Sequence, residues 1–290
     1  MFDDENLELI RSHLLGAGGD ALIRFMQCKA LSWDTGEFGA DTVQIAQDLG
    51  WISGPDNGLT DMGFFAADSC REYQFWLERK KALPFENHAP HLSLDHFRGR
   101  SVLEIGAGMG PNLMSLSGVA AKVHGVEPVG AYAQLGAIFC AREGITAPDI
   151  KLGSAESLPF ETDEIGLVLC ISAHQYFDIA PALREIARIL KPGGELIIVG
   201  GTLGSYFSAG LRELRERPGG VKAFGITIVN TLSYMAFKRR LITGGGFSTS
   251  RPIYPTRAAM RRLLTGAGFT QTAPECRVGS ETCFRVSLGE

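Results

Sequence analysis

The chain has 290 residues, is 45% hydrophobic and carries a formal net charge of -4. That is apolar material for one large domain or two modest ones. The mild acidity excludes a general attraction to nucleic acid or to anionic membrane, and no internal repeat or low-complexity tract is present.

The first residues, MFDDENLELIRS, are acidic and lack a basic stretch followed by an apolar one, so no secretory signal is expected. Residues 1 to about 97 predict helices. Within them Thr42–Leu49, Gly50-Trp51 and Leu59–Gly63 predict part of a winged-helix-like unit, too acidic and too poor in basic residues to read DNA. Cys70–Lys80 is aromatic and amphipathic. Its Tyr73 and Trp76 suit ordinary packing or closure over a ligand. A linker is expected at Pro84–His96, and its His88, His91 and His96 read as solvated, since no cysteine or carboxylate pair completes a metal site. The six cysteines form no C-x-x-C pair and read as reduced, mostly buried thiols.

From Ser101 onward, short apolar runs alternate with helical stretches. Strands are expected at Ser101–Ile105, Lys122–Val126, Ile150–Leu152, Ile165–Ile171 and Glu195–Gly200. Helices are expected at Pro111–Ser117, Gly130–Arg142 and Ile179–Leu190, the last stopped by Lys191-Pro192-Gly193-Gly194. This alternation predicts β-α-β units, an α/β class and a mostly parallel sheet. Residues 203–250 interrupt it as an insertion. Tyr206–Arg217 predicts one helix, ended by Pro218-Gly219-Gly220. Val221–Leu241 predicts a second, apolar nearly all round, which calls for burial on several sides or a greasy cavity beneath a lid. The uncharged run Ala223–Phe237 is shorter than the roughly 20 apolar residues of a membrane span, so a cytoplasmic protein without a span is expected. Arg239 and Arg240 read as a solvated helix end, or else as partners for an acidic group of a ligand. A basic helix at Thr256–Thr265 and strands near Phe269–Ala273 and Thr282–Leu288 close the chain. The expected organisation is a helical region, 1–97, and an α/β domain, 98–290.

Glu104-Ile105-Gly106-Ala107-Gly108-Met109-Gly110 joins a predicted strand to a predicted helix. Glycines there let a ligand approach the backbone. The third glycine comes one place too early for the dinucleotide fingerprint, Pro111 stands at that fingerprint's last position, and no G-K-[ST] follows. Glu127 ends the second predicted strand, 21 residues after Gly106, where a carboxylate accepts both hydroxyls of a ribose. That spacing serves NAD and S-adenosylmethionine alike.

The succession VLEIGAGMG, VEP, GSAESLPF, LVLCISAHQYFD and ILKPGGELIIV resembles the class I S-adenosylmethionine-dependent methyltransferases, especially their small-molecule branch, over about Ser101–Val199. The resemblance implies a Rossmann-like, seven-stranded, mostly parallel sheet with helices on both faces and one reversed strand at the edge. It implies S-adenosylmethionine as cofactor and assigns roles. Glu104 would sit near the methionine amino group, and Gly106, Ala107, Gly108 and Gly110 would run along the cofactor. Glu127 would hold the ribose hydroxyls and Pro128 would lie beside the adenine. Ser154, Ala155 and Glu156 match the adenine loop, with Ser154 where many relatives carry aspartate. Ile171 and Ser172 would mark the methyl-donor end.

His174, at the carboxyl edge of the sheet, is the candidate general base, or else it caps the next helix or shapes the pocket. Tyr176 is a candidate pocket residue, and Tyr206 and Tyr234 line the pocket or belong to the core. The expected reaction is methyl transfer to a small hydrophobic or aromatic acceptor, at oxygen, nitrogen or carbon. By analogy the N-terminal region would pair two copies and wall the acceptor pocket. The competing readings are a non-catalytic cofactor-binding protein of this fold and an NAD(P)-dependent oxidoreductase.

Overall fold

Alternation of apolar runs and amphipathic stretches produces the alternation of strands and helices that it predicts. The structure, a computed structural model, describes residues 1–87, 89, 92–216, 221–242 and 251–289, with the side chains of all but 212–216. Chain contacts divide it into two units: Met1–Pro84 with Ala107–Gly118 and Glu127–Leu152, and Phe85–Gly106 with Val119–Val126 and Gly153–Glu290.

The first unit holds α1 (Asp4–Leu15), α2 (Gly19–Leu31), α3 (Ala40–Asp48), a small antiparallel pair β1 (Ile52–Ser53) and β2 (Gly58–Leu59), and α4 (Asp61–Glu78). Thr60 starts α4 by accepting from Gly63 N–H at 2.9 Å. The same unit contains α5 (Pro111–Leu116) and α6 (Gly130–Glu143). All share one core, in which Leu22, Phe25, Trp51 and Trp76 pack with Met109, Met114, Leu135 and Phe139. Tyr73 stacks on Phe139 with ring centroids 4.3 Å apart, and Trp76 Nε1 donates to Ser115 Oγ at 2.8 Å. Both aromatics are packing residues.

The second unit is built on β3 (Ser101–Ile105), β4 (Lys122–Glu127, as far as Val126), β6 (Ile165–Ile171), β7 (Leu190–Gly200), β8 (Phe269–Gln271), β9 (Cys276–Val278) and β10 (Glu281–Leu288); β5 (Asp149–Leu152) belongs to the first unit. The strands run in the order β4-β3-β6-β7-β10-β8, with β9 also on β10. Pairing is parallel through β7, and β10 is antiparallel to β7, β8 and β9. One reversed strand was expected at the edge. It lies instead inside the sheet, where both rows of its backbone donors and acceptors find partners.

The strand β7 begins five residues before its expected start. Its register jumps from Ile165 opposite Leu190 to Leu167 opposite Glu195, so Lys191–Gly194 bulge out of a strand that α7 (Ile179–Ile189) feeds directly. The core of this unit gathers Leu103, Val168, Leu183, Ile186, Ile198 and Phe284.

Three further expectations change. The segment read as a solvated linker is pinned by Phe85, Ala89, Leu92 and Phe97, all buried. Its His96 is paired with Glu195 at 2.8 Å, whereas His88 and His91 lie outside the described residues. Glu195 also takes Arg100 and Arg285, and these three partners hold its carboxyl at about 2 against the upward push of burial.

The second change concerns the insertion, α8 (Leu203–Glu216) and α9 (Val221–Phe237); the expected stop at Pro218–Gly220 lies outside the described residues. The apolar face of α9 is not the buried one. Val229, Leu232 and Phe237 are exposed, while Thr227, Asn230, Thr231, Ser233 and Tyr234 are buried. The polar side chains bond backbone. Asn230 takes Leu241 N–H and Ile242 N–H and gives to Ile242 carbonyl, Thr231 takes Tyr254 N–H, and Ser233 gives to Arg239 carbonyl. Third, Arg240 is no solvated helix end: it donates to the carbonyls of Phe177 at 2.8 Å and Gln175 at 3.3 Å. A last helix, α10 (Arg257–Gly266), is capped by Thr256. Among the described residues no helix is long and apolar enough to cross a membrane.

Candidate functional site

The turn from β3 into α5 is shaped by glycines at positive φ. Gly106 has φ 70°, and a Cβ there would stand 2.5 Å from Ala173 Cβ. Gly110, with φ 84°, opens α5, and Pro111 fills its first position. The helix α6 comes against the same loop through Gly136, where a Cβ would lie 2.1 Å from the Met109 carbonyl oxygen. A Cβ on Gly108 would meet nothing within 4 Å, so the chain leaves that side of the loop open.

Glu127 is buried at the end of β4, and its Oε2 accepts from Gly108 N–H at 3.0 Å and its Oε1 from Val129 N–H at 3.1 Å. Burial raises its pKa, the two N–H groups oppose the shift, and the Asp68 carboxylate adds to it. Asp68, on α4, accepts from Tyr132 Oη at 2.9 Å and pairs with Arg71 at 2.7 Å. Asp68 and Tyr132 were not singled out from sequence. On α4 the spacing of Asp68 and Arg71 marks only a helix-surface ion pair, and nothing local ties it to Glu127. Pro128, next to Glu127, is exposed.

A carboxylate oxygen has room for two donors. Each oxygen of Glu127 already holds one backbone N–H, which orients the group and leaves capacity for a vicinal diol beside the open Gly108. These residues fit the ribose of S-adenosylmethionine.

The second unit carries the other candidates. Glu104 is buried on β3, in register with Gly125 and Leu169. Ser154 opens a tight turn closed by Ser157 N–H at 3.2 Å, Ala155 is buried, and Glu156 Oε1 accepts from Asp178 N–H at 2.7 Å at the start of α7. Ile171 ends β6. Ser172 follows at φ 50°, its N–H on the Val199 carbonyl at 2.7 Å and its hydroxyl on Glu281 Oε1 at 2.8 Å. His174 is 2% exposed, its Nε2 is 3.2 Å from the Gly201 carbonyl oxygen, and burial pulls its pKa down to about 4. The ring fits against Gly200, where a Cβ would lie 2.5 Å from Nδ1. Tyr176 is exposed. Tyr234 is a core residue, its hydroxyl engaged by Asp178 and by Ala180 N–H. Tyr206 stacks between Tyr254 and Phe224, with ring centroids 4.5 and 5.5 Å away. Among the described residues no group of three His, Cys, Asp or Glu side chains is placed to hold a metal.

The fold is Rossmann-like, a mostly parallel sheet with a glycine turn after its β3 strand. Residues 103–198, about a third of the chain, match the family described as a methyltransferase domain. The uncharacterized methyltransferase YcgJ of Bacillus subtilis is 33% identical over 99 residues, 34% of this chain and 39% of that protein. The uncharacterized protein YafE of Escherichia coli is 52% identical over 50 residues, 17% of this chain and 24% of that one. The chain thus spans well under half the length of these relatives. Among solved structures, the putative methyltransferase complexed with the Trm112 activator of Haloferax volcanii aligns over 80% of this chain and 98% of its own, with TM-score 0.54 and 17% identity. A putative S-adenosyl-L-methionine-dependent methyltransferase of Methanococcus maripaludis aligns over 79% and 94%, with TM-score 0.50 and 18% identity. Both likenesses show the fold.

Proposed function

We propose that this chain transfers a methyl group from S-adenosylmethionine to a small hydrophobic or aromatic acceptor, at oxygen, nitrogen or carbon. The observation that carries the reading is the Glu127 carboxylate, fixed by Gly108 N–H and Val129 N–H beside an open glycine loop. When bound, the cofactor supplies an already activated methyl carbon on a sulfonium, so the protein's task is to bind, align and exclude water.

In this reading Glu127 accepts the ribose hydroxyls. Gly106, Ala107, Gly108 and Gly110 give the backbone its close approach, Glu104 serves the amino group, and Pro128, Ser154, Ala155 and Glu156 border the adenine. Ile171 and Ser172 stand at the methyl end. Tyr176 faces the acceptor, and His174 holds the loop after β6 in shape. The proposal includes a cytoplasmic protein and a dimer formed through residues 1–97, which light scattering tests.

Calorimetry with S-adenosylhomocysteine tests the core of the proposal. Micromolar binding is expected. Glu127→Ala removes charge-assisted hydrogen bonds of about 1.5–3 kcal/mol and should weaken binding by roughly 10- to 100-fold. No binding by the wild-type chain would sink the reading, and binding of NADH in its place would favour the oxidoreductase. Transfer of labelled methyl to a metabolite extract separates an enzyme from a protein that only binds the cofactor.

A further inference from the structure

One carboxylate of the second unit, Glu281, has no role in holding the cofactor. The strand β10 runs against its neighbours, so its first residue, Glu281, arrives at the edge of the sheet where β6 and β7 end. Thr282 pairs with Gly200, and Glu281 Oε1 accepts from Ser172 Oγ at 2.8 Å. Ser172 is itself fixed, with a left-handed backbone at φ 50° and its N–H on Val199. Its hydroxyl therefore orients the carboxylate, and among the described residues no hydrogen bond reaches Oε2. No Lys or Arg among them pairs with Glu281. Among the described residues Tyr254 lies within electrostatic reach of Glu281, Tyr176 and Tyr206. Tyr254 stacks on Tyr206 and lies against Gly201, where a Cβ would be 3.0 Å from Cε1. Tyr176 is 52% exposed. A carboxylate with one oxygen free of hydrogen bonds among the described residues therefore stands at the end of β6, within electrostatic reach of the Tyr254 ring.

We propose that Glu281 accepts the proton lost by the methyl acceptor, and that the acceptor is an aromatic ring bearing an ionisable O–H or N–H, held beside Tyr254 and Tyr176. The inference rests on the methyltransferase reading. The acceptor heteroatom forms its bond to the methyl carbon, the carbon–sulfur bond leaves its electron pair on sulfur, and the heteroatom's proton passes to Glu281 Oε2 and on to water. Burial raises the pKa of Glu281 while the Ser172 hydroxyl opposes the shift, which moves a carboxyl toward the range of a useful base. The buried ring of His174, engaged with Gly201, is less suited to that exchange.

The test uses the full chain saturated with S-adenosylhomocysteine and titrated with 4-nitrophenol between pH 6 and 8. Absorbance reports the ionised phenol. The wild type should bind the neutral phenol, and the bound phenol should ionise at a higher pH than the free one, because its proton lies against a carboxylate. Glu281→Gln keeps an acceptor for Ser172. It should bind the phenol about tenfold more weakly, as a charge-assisted bond becomes a neutral one, and should abolish the upward shift in ionisation. Tyr254→Ala should weaken binding yet keep the shift. Equal binding and equal ionisation in wild type and Glu281→Gln would overturn the proposal. So would absence of millimolar binding of both 4-nitrophenol and benzimidazole by the wild type. S-adenosylhomocysteine affinity, expected within twofold in both variants, shows that each is folded. Its absence in the wild type would instead mark failure of the methyltransferase reading.

Discussion

Glu127 and Glu195 are both buried carboxylates with opposite shifts, and the contrast comes from their partners. Glu127 has two backbone N–H groups and a neighbouring carboxylate, and burial wins, so its pKa rises. S-adenosylhomocysteine hydroxyls favour the anion, so binding should release a proton near the raised pKa, and affinity should climb with pH and flatten above it. Calorimetry between pH 5 and 8 in buffers of different ionisation enthalpy checks this; binding without proton exchange anywhere in that range speaks against it. Glu195 has His96, Arg100 and Arg285, and its pKa falls to about 2. The sign is then that of a stabilising carboxylate: its contribution is complete above the unfolded value and fades as pH falls toward 2. Glu195→Gln should cost about 3 kcal/mol at pH 7, the worth of that depression, and should flatten the acid limb of stability against pH. The position of Glu127 was legible because the end of a strand that follows a strand–glycine-turn–helix unit comes to lie beside that turn. The Glu195 cluster was not, since His96 and Arg285 lie 189 residues apart in sequence and meet through strand pairing. Glu281 was hidden for a related reason. Its place at the site depends on the direction and position of β10, which local pattern does not encode.

Periodicity gave different returns for different elements. The strands β3 and β6 begin and end at the expected residues because they are buried between parallel neighbours and read as unbroken apolar runs. The glycines of Lys191–Gly194 read as a stop, yet the chain resumes pairing on both sides of them, and a bulge is invisible to a window of hydrophobicity. Helix α9 misled in the opposite sense. Its apolar count predicted wide burial, but the unsatisfied backbone of the segment that follows is the stronger demand. An unmet buried polar group costs about 1–3 kcal/mol, comparable to what burial of one large apolar side chain provides. The helix therefore turns Asn230, Thr231 and Ser233 inward. Asn230→Leu, which strands Leu241 N–H, Ile242 N–H and the Ile242 carbonyl, should lower stability by about 2–4 kcal/mol. Leu232→Asn, at a side chain 51% exposed, should change it by no more than about 0.5 kcal/mol. Chemical denaturation of the two variants decides: the reverse order of sensitivity would mean that the apolar face of α9 is covered in solution.

At the scale of the whole molecule, the sequence separates a helical region before residue 97 from an α/β domain after it, whereas apolar packing joins residues 1–84 to α5 and α6. Met109, Met114, Leu135, Ile138 and Phe139 are each no more than 3% exposed, and they belong to the same cluster as Leu22, Phe25, Trp51 and Trp76. The consequence is energetic. Burying such a side chain is worth about 1.5–3 kcal/mol, so uncovering even most of these five would cost on the order of 10 kcal/mol. A domain's whole stability is about 5–15 kcal/mol. A chain begun at Phe85 would keep the glycine loop, Glu127 and Glu281, yet it would lose the layer that covers α5 and α6. It should bind hydrophobic dyes, aggregate, and show no cooperative thermal transition, and S-adenosylhomocysteine should not bind it. A monomeric product with a sharp transition and cofactor affinity near that of the full chain would show instead that α5 and α6 are supported from elsewhere, and that the N-terminal helices are an accessory to the methyltransferase domain.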